Sequence, residues 1–137
     1  MYQSLTLIGN LGSEVELRYT GDGIPVAHFS VAVNRKWNNN DGSKGEEVTW
    51  FRVTAWRRMA EVCNEYLSKG KQVMVVGRLK PNEHGSPRIW TTQAGEPRAS
   101  FEVTASTVKF LGGRSDAPSA PKPVRVAQEE EYDEIPF

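Results

Sequence analysis

A single cysteine, Cys63, among 137 residues excludes an internal disulfide, so non-covalent contacts must hold this chain together. No apolar run is long enough to cross a bilayer. Met1-Tyr2-Gln3 leads directly into a strand pattern where a secretory leader would carry a basic segment and an apolar stretch. The expected location is the cytoplasm. Catalytic signatures are missing too. His28 and His84 are far apart, no His-x-Glu or Cys-x-x-Cys pairing offers a zinc site, and no glycine-rich phosphate loop precedes a helix. The sequence therefore predicts a binding module rather than an enzyme, with no catalytic residue, no metal and no cofactor.

Net charge is also absent, since 17 Lys and Arg balance 17 Asp and Glu. That zero hides an asymmetry. Residues 115–137 carry six acids and two bases, which leaves eleven acids and fifteen bases in the rest. A mildly basic body attracts a polyanion, and an acidic tail competes for the same surface. The length suits one domain, not two with separate cores. Pro118, Pro121 and Pro123 mark residues 112–128 as a flexible, semi-extended linker after a globular part at 1–111.

The last nine residues, 129–137, run Glu-Glu-Glu-Tyr-Asp-Glu-Ile-Pro-Phe. Like charges repel and extend, and an aromatic ring behind them is difficult for its own chain to bury. A pocket in another protein, apolar inside and rimmed by Lys or Arg, suits both the ring and the terminal carboxylate. Asp133, Glu134, Ile135, Pro136 and Phe137 are therefore expected to form a partner-binding tip. A disordered, solubilising tail is the plainer alternative.

Within the body, two-residue alternation marks a first strand bent at Gly9 and Gly12, a second over 25–37, and a third over 48–56. A long polar loop is expected at 38–45. The third strand sorts Phe51, Val53 and Ala55 to one side, and Trp50, Arg52, Thr54 and Trp56 to the other. The first set wants a core. Two indoles with a guanidinium between them suit a surface that meets bases and phosphates. Met59, Val62, Cys63, Tyr66 and Leu67 then follow helical spacing over 57–69, with Gly70 as the expected cap and Cys63 as a buried structural thiol. Strands at 72–80, 88–93 and 98–111 complete an all-β pattern. It predicts an OB-fold: a five-stranded antiparallel barrel with one helix between strands three and four, followed by a disordered C-terminal tail.

Four stretches together resemble the bacterial single-stranded DNA-binding protein family. They are Leu7-Ile8-Gly9-Asn10-Leu11-Gly12, Trp50-Phe51-Arg52-Val53, the helix segments Ala60-Glu61-Val62 and Glu65-Tyr66-Leu67-Ser68-Lys69-Gly70, and Ile135-Pro136-Phe137. The resemblance implies a nucleoid-associated homotetramer that wraps and protects single-stranded DNA in replication, recombination and repair, and recruits the proteins of those processes through the tip. It also implies that bases stack on Trp37, Trp50, Trp56 and Trp90, and that Arg52, Arg58, Lys69, Arg88 and Arg98 meet phosphates. Trp56 stands where the family often has phenylalanine, and the stretch 80–89 is longer than usual. Two other readings remain open at this stage: an OB-fold adaptor working mainly through protein contacts, and an RNA-binding OB protein.

Overall fold

The computed structural model describes residues 1–112; the expected linker, apart from Gly112, and the acidic tip at 129–137 lie outside the described residues. Seven strands and a helix follow one another as β1 (Leu5–Leu11), β2 (Glu16–Tyr19), β3 (Pro25–Asn38), β4 (Lys44–Trp56), α1 (Arg58–Tyr66), β5 (Gln72–Leu79), β6 (Arg88–Thr91) and β7 (Pro97–Gly112). Both β1 and β2 pair with β3, so they act as one bent strand. The circuit then closes: β3 pairs with β4, β4 with β7, β7 with β5 and β5 with β1. Only β4 and β7 run parallel. This is the expected OB-fold barrel, with the helix between its third and fourth strands; β6 is an added strand that pairs with the start of β7.

Closure follows from the alternation. Leu7, Leu11, Ala27, Phe29, Val31, Val53, Ala55, Val73, Val75, Val103 and Ala105 are all odd-numbered and all buried, and Ala60, Cys63 and Leu67 cover one end of the core they form. Branched side chains suit such a curved, two-layer interior. Where the barrel bends most, a side chain has no room. A Cβ on Gly9 would sit 2.3 Å from the Ala32 carbonyl oxygen, and one on Gly77 2.2 Å from that of Thr104. A register shift between Val76 and Gly77 marks the second of these bends.

Three boundaries differ from the sequence-based expectation. The helix ends at Tyr66, because Leu67 turns to extended geometry (φ −100°, ψ 146°) and buries its side chain. Gly70 therefore serves the following turn rather than the helix end. Its φ is 97°, and its N–H donates to the Leu11 carbonyl at 2.9 Å. The polar loop at 38–45 shrinks to 39–43, since Lys44–Val48 pairs in register with residues 34–38. Backbone hydrogen bonds extend that ribbon through charged residues that show no apolar alternation. Finally, β6 stops at Thr91, where Thr92 and Glu96 close a tight turn.

Cys63 is fully buried, and loss of solvation pushes its thiol up to about 12. The thiolate is thus inaccessible at neutral pH. A thiol reagent at pH 7.5 is expected to leave the native protein unmodified and to react with one equivalent once urea unfolds it.

Candidate nucleic-acid interface

Since Phe51, Val53 and Ala55 of β4 face the core, Trp50, Arg52, Thr54 and Trp56 of the same strand lie on its other side. The registers show which of them share a surface. Arg52 of β4 lies opposite Ser30 of β3 and opposite Glu102 of β7. On β7, Ser100 faces Arg88 and Arg98 faces Trp90 of β6. One continuous outer face therefore carries Trp50, Arg52 and Trp56 from β4, Glu102, Ser100 and Arg98 from β7, and Arg88 and Trp90 from β6. The sequence-predicted residues on it come from two separate stretches, brought together by the parallel β4–β7 pairing.

The three indoles on this face are held out of the core: Trp50 is 54% exposed, and Trp56 and Trp90 are each 40% exposed. Rings of that size are normally buried further, and here their flat surfaces stay open to stacking. Trp90 is anchored by Nε1, which donates to Ser100 Oγ at 3.1 Å. Charges between the rings are only loosely satisfied. Arg98 approaches Glu96 at 3.2 Å and Arg88 approaches Glu102 at 3.4 Å, with all but Glu102 largely exposed. The exposed Arg98–Glu96 pair contributes little, so a phosphate can replace that carboxylate at small cost.

Trp37 is placed differently. It lies opposite Gly45 and is odd-numbered, so register sets it on the other side of the β3–β4 ladder from Trp50, five pairs farther along the ribbon. Arg35 packs over its ring at 4.9 Å, and its Nε1 donates to Asn39 Oδ1 at 3.0 Å. Arg58 opens α1 and pairs with Glu61 at 3.8 Å; Lys69 belongs to the turn after the helix, where its N–H donates to Glu14 Oε2 at 3.3 Å. Neither belongs to the ladder face.

Residues not singled out in the sequence also belong to this face. Arg78 lies opposite Thr104, in the same row as Thr54, His28 and Glu16. Lys80 continues β5, its N–H donating to the Glu102 carbonyl at 2.7 Å. Alternation in β5 marks Arg78 and Lys80 as outward, but only the barrel registers place them across β7 from the residues of β4. His28 Nδ1 shares a hydrogen bond with Thr54 Oγ1 at 3.1 Å, and Thr54 is buried. Burial first, then the charge of Arg52, holds the His28 imidazole below its ordinary value of 6.5, although Glu16 opposes the shift. The neutral ring is thus favoured in the folded state. His28 contributes stability in full above pH 6.5, and that contribution is lost as pH falls through its lowered value. An NMR titration is expected to put the His28 midpoint below 6.5, with Arg52→Gln raising it partway back.

A closed five-stranded barrel with exposed rings and guanidinium groups across one face defines an oligonucleotide-type OB module. Comparison with known proteins agrees. The family model described as the single-strand binding protein family matches residues 2–111, and the chain belongs to that family. It is 38% identical over 114 residues to the single-stranded DNA-binding protein of Wolinella succinogenes, covering 83% of this chain and 67% of that protein. With its counterpart from Helicobacter hepaticus it shares 37% identity over 121 residues, covering 88% and 68% respectively. Among solved structures, the Plasmodium falciparum SSB complex with ssDNA superposes with a TM-score of 0.66 at 27% identity, covering 81% of this chain and 96% of that one. The small single-stranded DNA-binding protein from Streptomyces coelicolor gives 0.65 at 25% identity, covering 79% and 93%.

Proposed function

We propose that this protein binds and protects single-stranded DNA without reading its sequence, acting as a binding protein rather than an enzyme. The observation that carries this reading is the outer face on which Trp50, Trp56 and Trp90 stand exposed among Arg52, Arg88 and Arg98. Every base has a π-face, so stacking on these rings gains roughly 1–3 kcal/mol per base whatever the base is. Guanidinium groups between the rings take the phosphates and fix the strand's path. Trp37 adds a fourth platform at the end of the β3–β4 ribbon, and Arg58 and Lys69 extend the basic path past the helix. The direct test is the salt dependence of oligo-dT binding. Log affinity should fall linearly with log salt, by roughly 0.7 per phosphate neutralised. Binding that ignores salt, or that favours an RNA of the same length, contradicts the reading.

The protein is further proposed to act as a homotetramer in the cytoplasm, with the nucleoid. Two features support self-association. Ile8 stands half exposed on the outside of β1, and β1 meets β3 only at Asn10 and Leu11, leaving Leu5–Gly9 without a strand partner on that edge among the described residues. Light scattering tests the assembly, with a monomer as the contrary result. Recruitment of replication, recombination and repair proteins is assigned to Asp133, Glu134, Ile135, Pro136 and Phe137, on the strength of the sequence. Removing residues 135–137 is expected to leave oligo-dT affinity within about twofold of the full chain while abolishing pull-down of partner enzymes.

A further inference from the structure

Among the described glycines, four leave no room for a side chain, and they divide into two kinds. At Gly9 and Gly77 the nearest obstacle is a backbone carbonyl of the neighbouring strand, which cannot move without opening the barrel. At Gly12 and Gly45 the obstacle is an indole. A Cβ on Gly12 would lie 2.3 Å from Cζ3 and 2.7 Å from Cη2 of Trp50; one on Gly45 would lie 2.2 Å from Cε2 of Trp37, with Cζ2 and Nε1 at 2.4 Å. Neither glycine has a positive φ, so backbone conformation does not require glycine at either place.

We propose that Gly12 and Gly45 are positioning residues, each the seat on which one DNA-stacking tryptophan lies. This inference rests on the single-stranded DNA reading above and names the residues that aim its rings. Gly12 follows β1 and donates its N–H to the Ser30 carbonyl at 2.9 Å, while Trp50 lies opposite Ala32 on the other side of β3. The indole therefore reaches across β3 toward Gly12, past Ala32. With hydrogen in place of a side chain at 12, the ring settles against backbone and keeps its exposed surface turned outward. Gly45 seats Trp37 directly across the ladder, with the Asn39 hydrogen bond fixing the ring's edge and Arg35 packed over the ring until a base takes its place. A ring held beforehand loses less rotamer freedom when a base arrives, which is how a seat becomes affinity. A methyl group at either glycine meets the far end of a side chain that can swing away, so the cost falls on ring orientation and not on the barrel.

Two measurements on the full-length protein test this separately from the parent reading. In a variant whose sole tryptophan is Trp50, with Trp37, Trp56 and Trp90 replaced by phenylalanine, Gly12→Ala is expected to shift the emission and raise acrylamide quenching without any DNA present. In the otherwise native chain, Gly12→Ala should weaken oligo-dT binding roughly tenfold. Its melting temperature should stay that of the parent. Adding Gly12→Ala to Trp50→Ala should bring no further loss, because the glycine acts through the ring. The pair Gly45→Ala and Trp37→Ala should behave likewise. The proposal is overturned if emission and quenching are unchanged, if the two losses add in full, or if Gly12→Ala melts early as a barrel glycine would. Should the unsubstituted protein fail to bind oligo-dT while the emission shift is seen, the seat stands and the DNA reading falls.

Discussion

Replacing Trp50 and Trp56 together by alanine is expected to weaken oligo-dT binding by roughly a hundredfold, with little change in melting temperature. Each ring offers one stacking surface, and two lost stacks at a few kcal/mol in total give a loss of that order. Stability is spared because both rings stand outside the core on a strand whose inward residues, Phe51, Val53 and Ala55, are untouched. Changing Trp90 alone should cost less, since it removes one stacking surface instead of two, on a two-stranded extension of the barrel. A double variant that binds within threefold of the parent would mean that the strand takes another path. Fluorescence anisotropy of a labelled oligonucleotide, measured at one fixed salt concentration, gives both affinities on one scale.

Gly77→Ala is expected to have the largest effect on stability of any single methyl group added to the chain. Its Cβ would fall 2.2 Å from the Thr104 carbonyl oxygen and 3.0 Å from the Ala105 Cα. Both belong to β7, which closes the barrel against β5, so relief requires separating two paired strands. Overpacking of a well-filled core costs about 1–3 kcal/mol, and an obstacle made of backbone puts this site at or above the upper end. Gly21→Ala is the matched control, because nothing lies within 4 Å of the added carbon. Thermal or urea unfolding should show a clear drop in midpoint for Gly77→Ala and none for Gly21→Ala. Equal midpoints would mean that the β5–β7 bend relaxes freely.

The barrel was readable because core residues recur at every second position, even though Val26, Thr54 and Met74 between or beside them are buried as well. Phe29 and Val31, Val53 and Ala55, Val73 and Val75, and Val103 and Ala105 all went to the core as their spacing required. Trp50, Arg52 and Trp56 were readable for the same reason, as the opposite side of one strand. What could not be read was anything set by pairing between distant strands. The parallel register of Arg52 with Glu102 brings Arg88, Trp90 and Arg98 to the indoles of β4, and no local pattern announces it. Trp37 shows the converse. It follows Arg35 and Lys36 in a stretch that looks like the rest of the site, yet one residue of parity places it on the other side of the ribbon. Leu67 ended the helix early because a core position outweighs helical spacing, and the charged residues Glu46 and Glu47 hid the start of β4.

Seats for aromatic rings are likewise invisible in sequence. Gly12 reads as a bend and Gly45 as part of a polar loop, until the cross-strand neighbours are known. Glu102 is similar. It sits largely buried between Arg52 and Arg88, a carboxylate in the middle of a basic face, where it spaces the two cations and holds Arg88 in reach of the surface.

The most direct test of the central claim is a titration of the full-length protein with oligo-dT while intrinsic tryptophan emission is recorded, with duplex DNA of the same length run in parallel. Stacking on exposed indoles predicts strong, saturable quenching by the single strand and far weaker binding of the duplex, whose bases are already stacked on one another. Unquenched emission at saturation, or equal affinity for the two forms, would contradict it.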